Sequence, residues 1–423
     1  MKRILSTGFY YVTSIFSNFF RYVFHLVLLR LLAPGEYGEF SSYLSLLYIL
    51  GIPTVIITNV VTKYVADFRG KGDAISINKL FYFLLNKINL VTIPVGLLLI
   101  IFSQPLAVLF KAHPLAFVIL GISMFVSVFQ AIINSYVLAF QKIVFLTVIG
   151  LVNVLMTIGL AVLFIKFGWG ATGVVGAQIL AGVVGAFISF WVIKGDIYPK
   201  IADNTIIKFN LLGFAGYSLM YAVGTSLMVS IDIIMVRIFF DAHTSGLYSS
   251  LSILGKMILF GLTPLTALVL PVAAHRHAQN GKIYLIFVKF GLVIFSLGII
   301  GATVFSLFPV QIIKTLSGVA YIEVAGWLPY IVFTMAFFAF SQFIISYLMA
   351  TNRPRATVLL LVATIVQPVL FFIFRNSFND IIIANFVLQL GLFLALVLYI
   401  VRKDFFAGFK ICMQTKDLFQ FVL

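Results

Sequence analysis

Long apolar segments follow one another along almost the whole chain, and only short polar loops separate them. Because a bilayer core about 30 Å thick is crossed by roughly 20 helical residues, each segment is long enough to span a membrane. Hydrophobic residues make up 62% of the 423 residues and charged residues only 9%, so most of the surface must face lipid. We predict about twelve spans, near residues 5–32, 40–66, 80–102, 114–140, 143–166, 171–193, 207–240, 246–274, 283–308, 325–350, 356–374 and 381–401.

The distribution of lysine and arginine predicts how the spans are oriented. With the N-terminus in the cytoplasm, most of the 28 basic residues fall on cytoplasmic segments. We therefore predict a protein of the cell membrane with both termini in the cytoplasm. The net charge of +16 therefore mostly reflects topology, and basic residues scattered over short loops do not predict nucleic-acid binding. The N-terminal stretch contains Asn18, Arg21 and His25 and has no A-x-A-like cleavage site, so we interpret it as the first helix and not as a signal peptide.

Two parts of the sequence repeat in the same order. RLLAPGEYGEFSS (Arg30–Ser42) matches RIFFDAHTSGLYSS (Arg237–Ser250), and SYVLAFQK (Ser135–Lys142) matches SYLMATNR (Ser346–Arg353). The offset is 207 at the arginines and 211 at the later pair, as small loop insertions within a duplication would give. The duplication predicts two tandem six-helix bundles.

The repeat sets the predicted domain boundaries. The N-terminal bundle covers residues 1–193, a cytoplasmic linker 194–206, the C-terminal bundle 207–401 and an amphipathic cytoplasmic tail 402–423. An even number of spans per half gives both halves the same orientation, related by a pseudo-two-fold axis along the membrane normal. Parallel repeats of this kind place a transport path at the interface between the halves.

A polar stripe recurs on the first helix of each half. In the first helix its members are spaced by three or four residues and share one face: Thr7, Tyr11, Ser14, Asn18, Arg21 and His25. In the seventh helix the stripe comprises Ser218, Tyr221, Thr225 and Asp232, each 207 residues after a member of the first stripe. We expect the two stripes to line a hydrated cavity. Hydrogen bonding between packed helices is the alternative for the individual Ser and Thr residues.

Basic side chains outnumber acids in the predicted spans, and Arg21 and Lys256 lie deepest. A cationic cavity suits an anionic substrate, and arginine suits phosphate because its planar fork offers several donors. Lys63 is a further candidate, although it lies near the cytoplasmic end, where snorkelling to headgroups is the alternative. Arg30 and Arg237 lie at the outer helix ends, where we predict interfacial anchoring. The predicted substrate-binding residues are Ser14, Asn18, Arg21, His25, Lys63, Tyr221, Thr225 and Lys256.

Asp232, an acid within the seventh span, has two interpretations. It forms a fixed ion pair with Arg21 or His25 of the other half, or it binds H⁺ or Na⁺ and couples transport to a gradient. Pro53 and Pro264 fall at near-equivalent depths of the second and eighth spans and are hinge candidates. The single cysteine, Cys412, excludes an internal disulfide, and nothing in the chain predicts a metal or organic cofactor.

The motifs of soluble or membrane-bound catalysis are missing from the sequence. There is no G-x-x-x-x-G-K-[ST], H-E-x-x-H or G-x-S-x-G, and the longest loops have about a dozen residues. A glycan-assembly enzyme would need a larger polar loop for its catalytic groups. We therefore predict that the chain is not an enzyme.

Three segments resemble one transporter family. They are RLLAPGEYGEFSSYLSLL (Arg30–Leu47), the D-x-x-x-x-R of Asp232 and Arg237 followed by GLYSSLSIL (Gly246–Leu254), and GWGATGVVGA (Gly168–Ala177). In the context of duplicated six-span halves they are similar to the polysaccharide-transporter, O-antigen flippase-like family of the multidrug/oligosaccharidyl-lipid/polysaccharide (MOP) exporter superfamily. The motifs are short and mostly apolar, so they identify a family better than a substrate.

The resemblance implies a function and a set of partners. A member of this family flips a lipid-linked oligosaccharide, carried on a polyprenyl diphosphate, to the outer leaflet by alternating access during cell-surface polysaccharide biosynthesis. Membrane lipids and other polysaccharide-assembly proteins are then the candidate partners. The alternative is a drug or organic-cation antiporter of the related MATE type, which shares the fold but typically relies on acids in its cavity.

Overall fold

The computed structural model describes residues 19–196, 214–278, 283–351 and 353–401, and these residues are almost entirely helical, without a strand. The first half forms α1 (residues 19–31), α2 (Pro34–Leu50), α3 (Ile52–Gly70), α4 (Ala74–Ile101), α5 (Ser103–Phe110), α6 (Pro114–Ala139), α7 (Ile143–Lys166) and α8 (Gly170–Ile193). The second half forms α9 (Phe214–Phe239), α10 (Ala242–Ala278), α11 (Ile283–Leu307), α12 (Pro309–Leu316), α13 (Leu328–Ala350), α14 (Thr357–Ile373) and α15 (Phe378–Ile400). Two 3-10 helices, Val319–Trp327 and Pro354–Ala356, precede α13 and α14. The predicted all-α polytopic fold class is confirmed.

Most of the predicted spans correspond to helices of suitable length. Within the described residues, nine helices are long and apolar enough to cross a membrane, and a bent pair, Thr92–Ile101 with Ser103–Phe110, makes a tenth. The two other predicted spans are residues 5–32, of which the structure describes only 19–32, and 40–66, which α2 and α3 form together. The chain is therefore a multi-pass membrane protein.

The order of the elements repeats along the chain. In each half a short helix of eight residues follows the third span, α5 in the first half and α12 in the second. The axis turns by 66° between the end of α4 and α5. The sequence did not predict these short helices, because their residues continue the apolar composition of the preceding span.

The described residues group into two compact units. The first contains the residues up to Ser250 together with Ile313–Ile322, and the second contains Leu251–Ile312 and the residues from Glu323 onward. This grouping follows packing, so the first unit includes α9 and the start of α10 from the second sequence repeat. The predicted boundaries at 1–193 and 207–401 stay predictions, and linker residues 197–206 and tail residues 402–423 lie outside the described residues.

In the first unit, α6 lies at the centre and packs against α3, α4 and α8. Its Tyr136 is fully buried and donates a hydrogen bond to the Ile77 carbonyl of α4 at 2.9 Å. Nearer the start of α6, a side chain on Gly96 would lie 2.9 Å from the Gly121 carbonyl oxygen, and one on Gly121 would lie 2.7 Å from that of Gly96. The helices α4 and α6 thus cross backbone against backbone, as small residues allow in membranes.

In the second unit, α13 packs against α11 and α15 through a phenylalanine-rich interface. The Phe340 and Phe295 rings lie 4.3 Å apart between centroids, and Phe337 stacks on Phe393 at 5.6 Å. Aromatic side chains bury a large apolar area each, so they dominate the packing of this unit.

Candidate functional site

Arg21 lies on the side of α1 that packs against the protein. The residues one and two turns further along this face, Phe24 and Leu28, are buried, and His25 beside them is half-buried. Arg21 itself is exposed, and it forms no ion pair with any residue that the structure describes. It interacts electrostatically with Tyr48 of α2. The packed face of α1 therefore carries an accessible guanidinium.

The depth of Arg21 follows from helix geometry. It precedes the last residue of α1, residue 31, by ten positions, which is about 15 Å at 1.5 Å per residue. That distance is about half the thickness of the hydrocarbon core. The stripe residues Ser14 and Asn18 precede Arg21 and lie outside the described residues.

His25 contacts a tyrosine of the following helix. Its Nδ1 lies 3.2 Å from the Tyr37 hydroxyl of α2, and the tautomer of the ring decides which group donates. The imidazole also packs against the Phe24 ring at 5.6 Å and the Phe40 ring at 6.0 Å between centroids. This is a semi-enclosed polar contact within an aromatic cluster.

Asp232, the repeat equivalent of His25, also contacts a tyrosine of the following helix. Its side chain is 0% exposed, and the Tyr248 hydroxyl of α10 donates a hydrogen bond to Oδ2 at 3.3 Å. Further towards the start of α9, the half-buried Thr225 donates its hydroxyl to the Tyr221 carbonyl one turn earlier. Tyr221 is also half-buried, whereas the side chain of Ser218 is outside what the structure describes.

The other candidates lie at separate places. Lys256 is 4% exposed in α10 and belongs to the second unit. Lys63 lies in α3, and its side chain is outside what the structure describes. The contacts of the described part therefore bring together the stripe residues of α1 with α2 and those of α9 with α10.

The two hinge candidates have different helical settings. Pro53 lies in the first turn of α3, just after the break at Gly51, where its missing N–H needs no partner. Pro264 lies inside the uninterrupted helix α10, where it leaves the Phe260 carbonyl without its usual helical donor. Only the first copy is thus divided into two helices.

Arg237 is a functional candidate whose setting the sequence did not predict. We expected an interfacial anchor, but the side chain is 1% exposed. It donates to three carbonyls, those of Phe110 at 2.8 Å, Lys111 at 2.7 Å and Gly35 at 3.3 Å. The interfacial interpretation of Arg237 is therefore wrong, because its guanidinium caps the end of α5 and is not placed among headgroups. The duplicated arginine was the available signal, but its partners are more than 100 residues away in the sequence.

A cleft of about 720 Å³ lies in the first unit among α4, α6 and α8. Its lining is mainly apolar, with Phe125, Phe129, Phe187 and Phe190, and Asn86 supplies an amide. None of the predicted site residues lines it. Among the described residues, no three His, Cys, Asp or Glu side chains are grouped so that they could hold a metal ion.

The chain matches no protein-family model and no curated protein. It is similar to an inward-facing multidrug resistance MATE family transporter of the MOP superfamily, with a TM-score of 0.74 and 14% identity over 91% of this chain and 95% of that one. It is also similar to the lipid II flippase MurJ in an inward closed conformation, with a TM-score of 0.72 and 14% identity over 93% of this chain and 87% of that one. It is similar as well to a MOP superfamily transporter from Pyrococcus furiosus, with a TM-score of 0.60 and 15% identity over 94% of each chain. At these identities the similarity shows a shared fold.

Proposed function

We propose that this chain, which has the fold of the MOP superfamily transporters, flips a lipid-linked oligosaccharide from the cytoplasmic to the outer leaflet of the cell membrane. The oligosaccharide is carried on a polyprenyl diphosphate, and the protein translocates it by alternating access, with both termini in the cytoplasm. The diphosphate meets basic side chains inside the protein, while the lipid tail stays in the bilayer. In this proposal the chain supplies exported glycan to other polysaccharide-assembly proteins.

The observation that carries the proposal is Arg21. A guanidinium at the middle of a bilayer is costly unless it faces water or a counter-charge. Arg21 is accessible on the packed side of α1, at about half the depth of the hydrocarbon core, and has no carboxylate partner in the described part of the chain. A diphosphate supplies the missing negative charge, and its oxygens match the bidentate geometry of the guanidinium.

Deletion of the gene tests the substrate. We expect lipid-linked glycan to accumulate with its sugar on the cytoplasmic leaflet, and surface polysaccharide to be lost, because other leaflet-crossing routes are closed to a large polar headgroup. Leaflet position can be read from the susceptibility of the glycan to an impermeant glycosidase in oriented vesicles. A deletion strain in which the glycan reaches the outer leaflet at the normal rate would contradict the proposal.

Variants of Arg21 test the site. Arg21→Gln removes the charge and we expect export to fall by at least about tenfold, which corresponds to loss of one charged hydrogen bond of about 1.4 kcal/mol or more. Arg21→Lys keeps the charge without the planar fork and should retain partial export. Arg375→Gln is the matched control, because that arginine stacks on the Phe372 ring at 4.3 Å at a helix end. Export at the normal rate in Arg21→Gln would remove this arginine from the site.

A drug or organic-cation antiporter is the second candidate. The similarity to a multidrug resistance MATE transporter favours it, as does the buried carboxylate of Asp232, which could neutralise a cation or a proton. Purified protein in liposomes should then export ethidium when a proton or sodium gradient is imposed. Gradient-driven ethidium efflux together with normal glycan export in the deletion strain would establish this function in place of the first.

A further inference from the structure

At one end of the first unit, the duplicated segments contact each other through basic side chains and carbonyl groups. Arg237, from the second repeat, holds the Phe110 and Lys111 carbonyls at the end of α5 in the first repeat. Lys111 in turn donates its ammonium to the Phe240 carbonyl at the end of α9, at 2.7 Å. Arg30, from the first repeat, donates to the Thr315 carbonyl in the last turn of α12. Each of these contacts joins one repeat to the other.

The chemistry of the contacts is the same in each case. The last carbonyls of a helix have no intrahelical donor and carry partial negative charge, so a cation there satisfies them. At the end of α5 the chain turns through Lys111, which has the left-handed conformation with φ at 48°. Three cations of the two repeats thus close three helix ends.

The backbones also touch at this end. A side chain on Gly246 would lie 1.8 Å from the Pro34 carbonyl oxygen, and one on Gly38 would lie 2.7 Å from the Gly246 nitrogen. The Ser245 hydroxyl lies beside the Gly38 position, and Ser245 is 1% exposed. The starts of α2 and α10 therefore pack backbone against backbone, without space for a side chain at Gly38 or Gly246.

A carboxylate stands near the buried guanidinium. Glu39 of α2 interacts electrostatically with Arg237, but its Oε1 accepts a hydrogen bond from the Tyr43 hydroxyl at 2.5 Å. The guanidinium itself is bound to carbonyls. Asp241 also interacts electrostatically with Arg237, but more weakly than Glu39, and its carboxylate accepts hydrogen bonds from Thr244. If the carbonyls moved away, Glu39 would therefore compensate the buried charge best, since an unpaired buried cation is strongly unfavourable.

We propose that these contacts form a latch that closes the end of the transporter predicted to be outer, and that Arg237 moves from the α5 carbonyls to Glu39 when that end opens. The proposal rests on the alternating access of the proposed function, and it adds the residues that hold one gate. Arg237, Lys111 and Arg30 stabilise the closed gate, whereas Glu39 stabilises the open one. Removing one of these cations must therefore favour the open gate, whereas removing the Glu39 carboxylate must favour the closed one.

Labelling of a reporter cysteine tests the latch without any transport substrate. Ser245→Cys is placed in a Cys412→Ser background, and intact cells are treated with a membrane-impermeant maleimide. We expect Arg237→Gln to raise the labelling rate by at least about tenfold, Lys111→Gln and Arg30→Gln to raise it less, and Glu39→Gln to lower it. Arg69→Gln is the matched control, because Arg69 of α3 donates to the Ala139 carbonyl at the end of α6 with the same chemistry, on the side predicted to be cytoplasmic.

The outcomes separate this proposal from the proposed function. Equal labelling rates in all variants, or a Glu39→Gln variant that labels faster, would overturn the latch. Lys111→Gln keeps the test valid if Arg237→Gln fails to fold, because the Lys111 side chain is exposed. If the deletion strain exports glycan normally and the variants show the expected labelling rates, the proposed substrate is contradicted and the latch is supported.

A cross-link provides the complementary result. An ideal Cβ on Gly35 lies 3.2 Å from the Ala242 Cβ, so a shift of a few tenths of an ångström brings the two within the range of a disulfide. Gly35→Cys with Ala242→Cys, in the Cys412→Ser background, should export normally when reduced and lose export when oxidised. Undiminished export by protein whose cross-link is verified by mass spectrometry would overturn the latch.

Discussion

In both copies of the duplicated segment, a titratable side chain on the first helix contacts a tyrosine hydroxyl on the second. In the first copy the pair is His25 and Tyr37, and in the second it is Asp232 and Tyr248. The arginines that follow differ in the same way, since Arg30 is exposed with one carbonyl and Arg237 is buried with three. The titratable residue and the arginine thus occupy equivalent positions in the two copies, whereas the tyrosine does not, because Tyr248 aligns with Phe40 when Gly38 is matched to Gly246.

The largest effect that this comparison predicts concerns the titratable pair. If Asp232 couples transport to an ion gradient, Asp232→Asn should abolish the dependence of export on that gradient and leave substrate binding intact. His25→Gln, the matched change in the first copy, should keep it. Glycan export measured with and without a protonophore, and with and without sodium, distinguishes the variants. Unchanged gradient dependence in Asp232→Asn would leave the fixed-charge interpretation.

Alanine substitutions at Gly246 and Gly35, one glycine from each copy, should differ in their cost in stability because their neighbours lie at different distances. Gly246→Ala drives a methyl group against the Pro34 carbonyl, and we expect a loss of about 3 kcal/mol because backbone must move. Gly35→Ala meets only the Ala242 Cβ at 3.2 Å and should cost below about 1 kcal/mol. Gly150→Ala in α7, with nothing within 4 Å, is the control and should be neutral or slightly stabilising. Thermal unfolding in detergent gives the order, and equal losses at Gly246 and Gly35 would contradict it.

Substitution of the arginine should also cost more stability in the second copy than in the first. Arg237→Gln leaves buried carbonyls without their charged donor, and we expect a loss of about 2 kcal/mol. Arg30→Gln removes an exposed contact and should cost below about 1 kcal/mol. The measurement is again thermal unfolding of the purified protein. A loss at Arg30 as large as that at Arg237 would show that burial does not separate the two copies.

The smallest effect concerns the start of the second helix in each copy. Asp241 accepts hydrogen bonds from the Thr244 N–H at 3.0 Å and hydroxyl at 2.6 Å, which lowers the pKa of its carboxyl below the ordinary value. In the first copy, Glu36 accepts from the Ala33 N–H at 3.2 Å. We expect Asp241→Ala to cost about 1 kcal/mol at neutral pH and Glu36→Gln a few tenths.

The pH dependence of this stabilisation follows from the direction of the pKa shift of Asp241. Because the folded-state pKa of Asp241 is lowered, its contribution is present above the ordinary carboxyl pKa and is lost as the pH falls through the folded value. The unfolding temperatures of the parent and of Asp241→Ala should therefore converge below about pH 4. A constant difference down to pH 3 would argue against a role for the ionised carboxylate.

The sequence predicted those features that depend on local composition. Apolar runs gave the helices and most of the spans, and the repeated motif gave the correspondence of Arg30 with Arg237. It did not predict that Arg237 would be buried, because the carbonyls that receive it come from α5, which is distant in sequence and itself unpredicted. The polar stripes were predicted as faces, but the tyrosine partners of His25 and Asp232 depend on how consecutive helices pack, which spacing within one helix does not encode.

The close crossing of α4 and α6 has a mechanical consequence for the bent segment beyond it. Gly96 is fastened to Gly121 by backbone contact, and the far end of α5 is fastened to Arg237. The elbow between these two points contains about fifteen residues and is held at both ends. Because the segment is held at both points and is helical between them, it is stiff. A displacement of the Arg237 guanidinium is therefore transmitted to the packing of α4 against α6 and is not absorbed by a flexible loop.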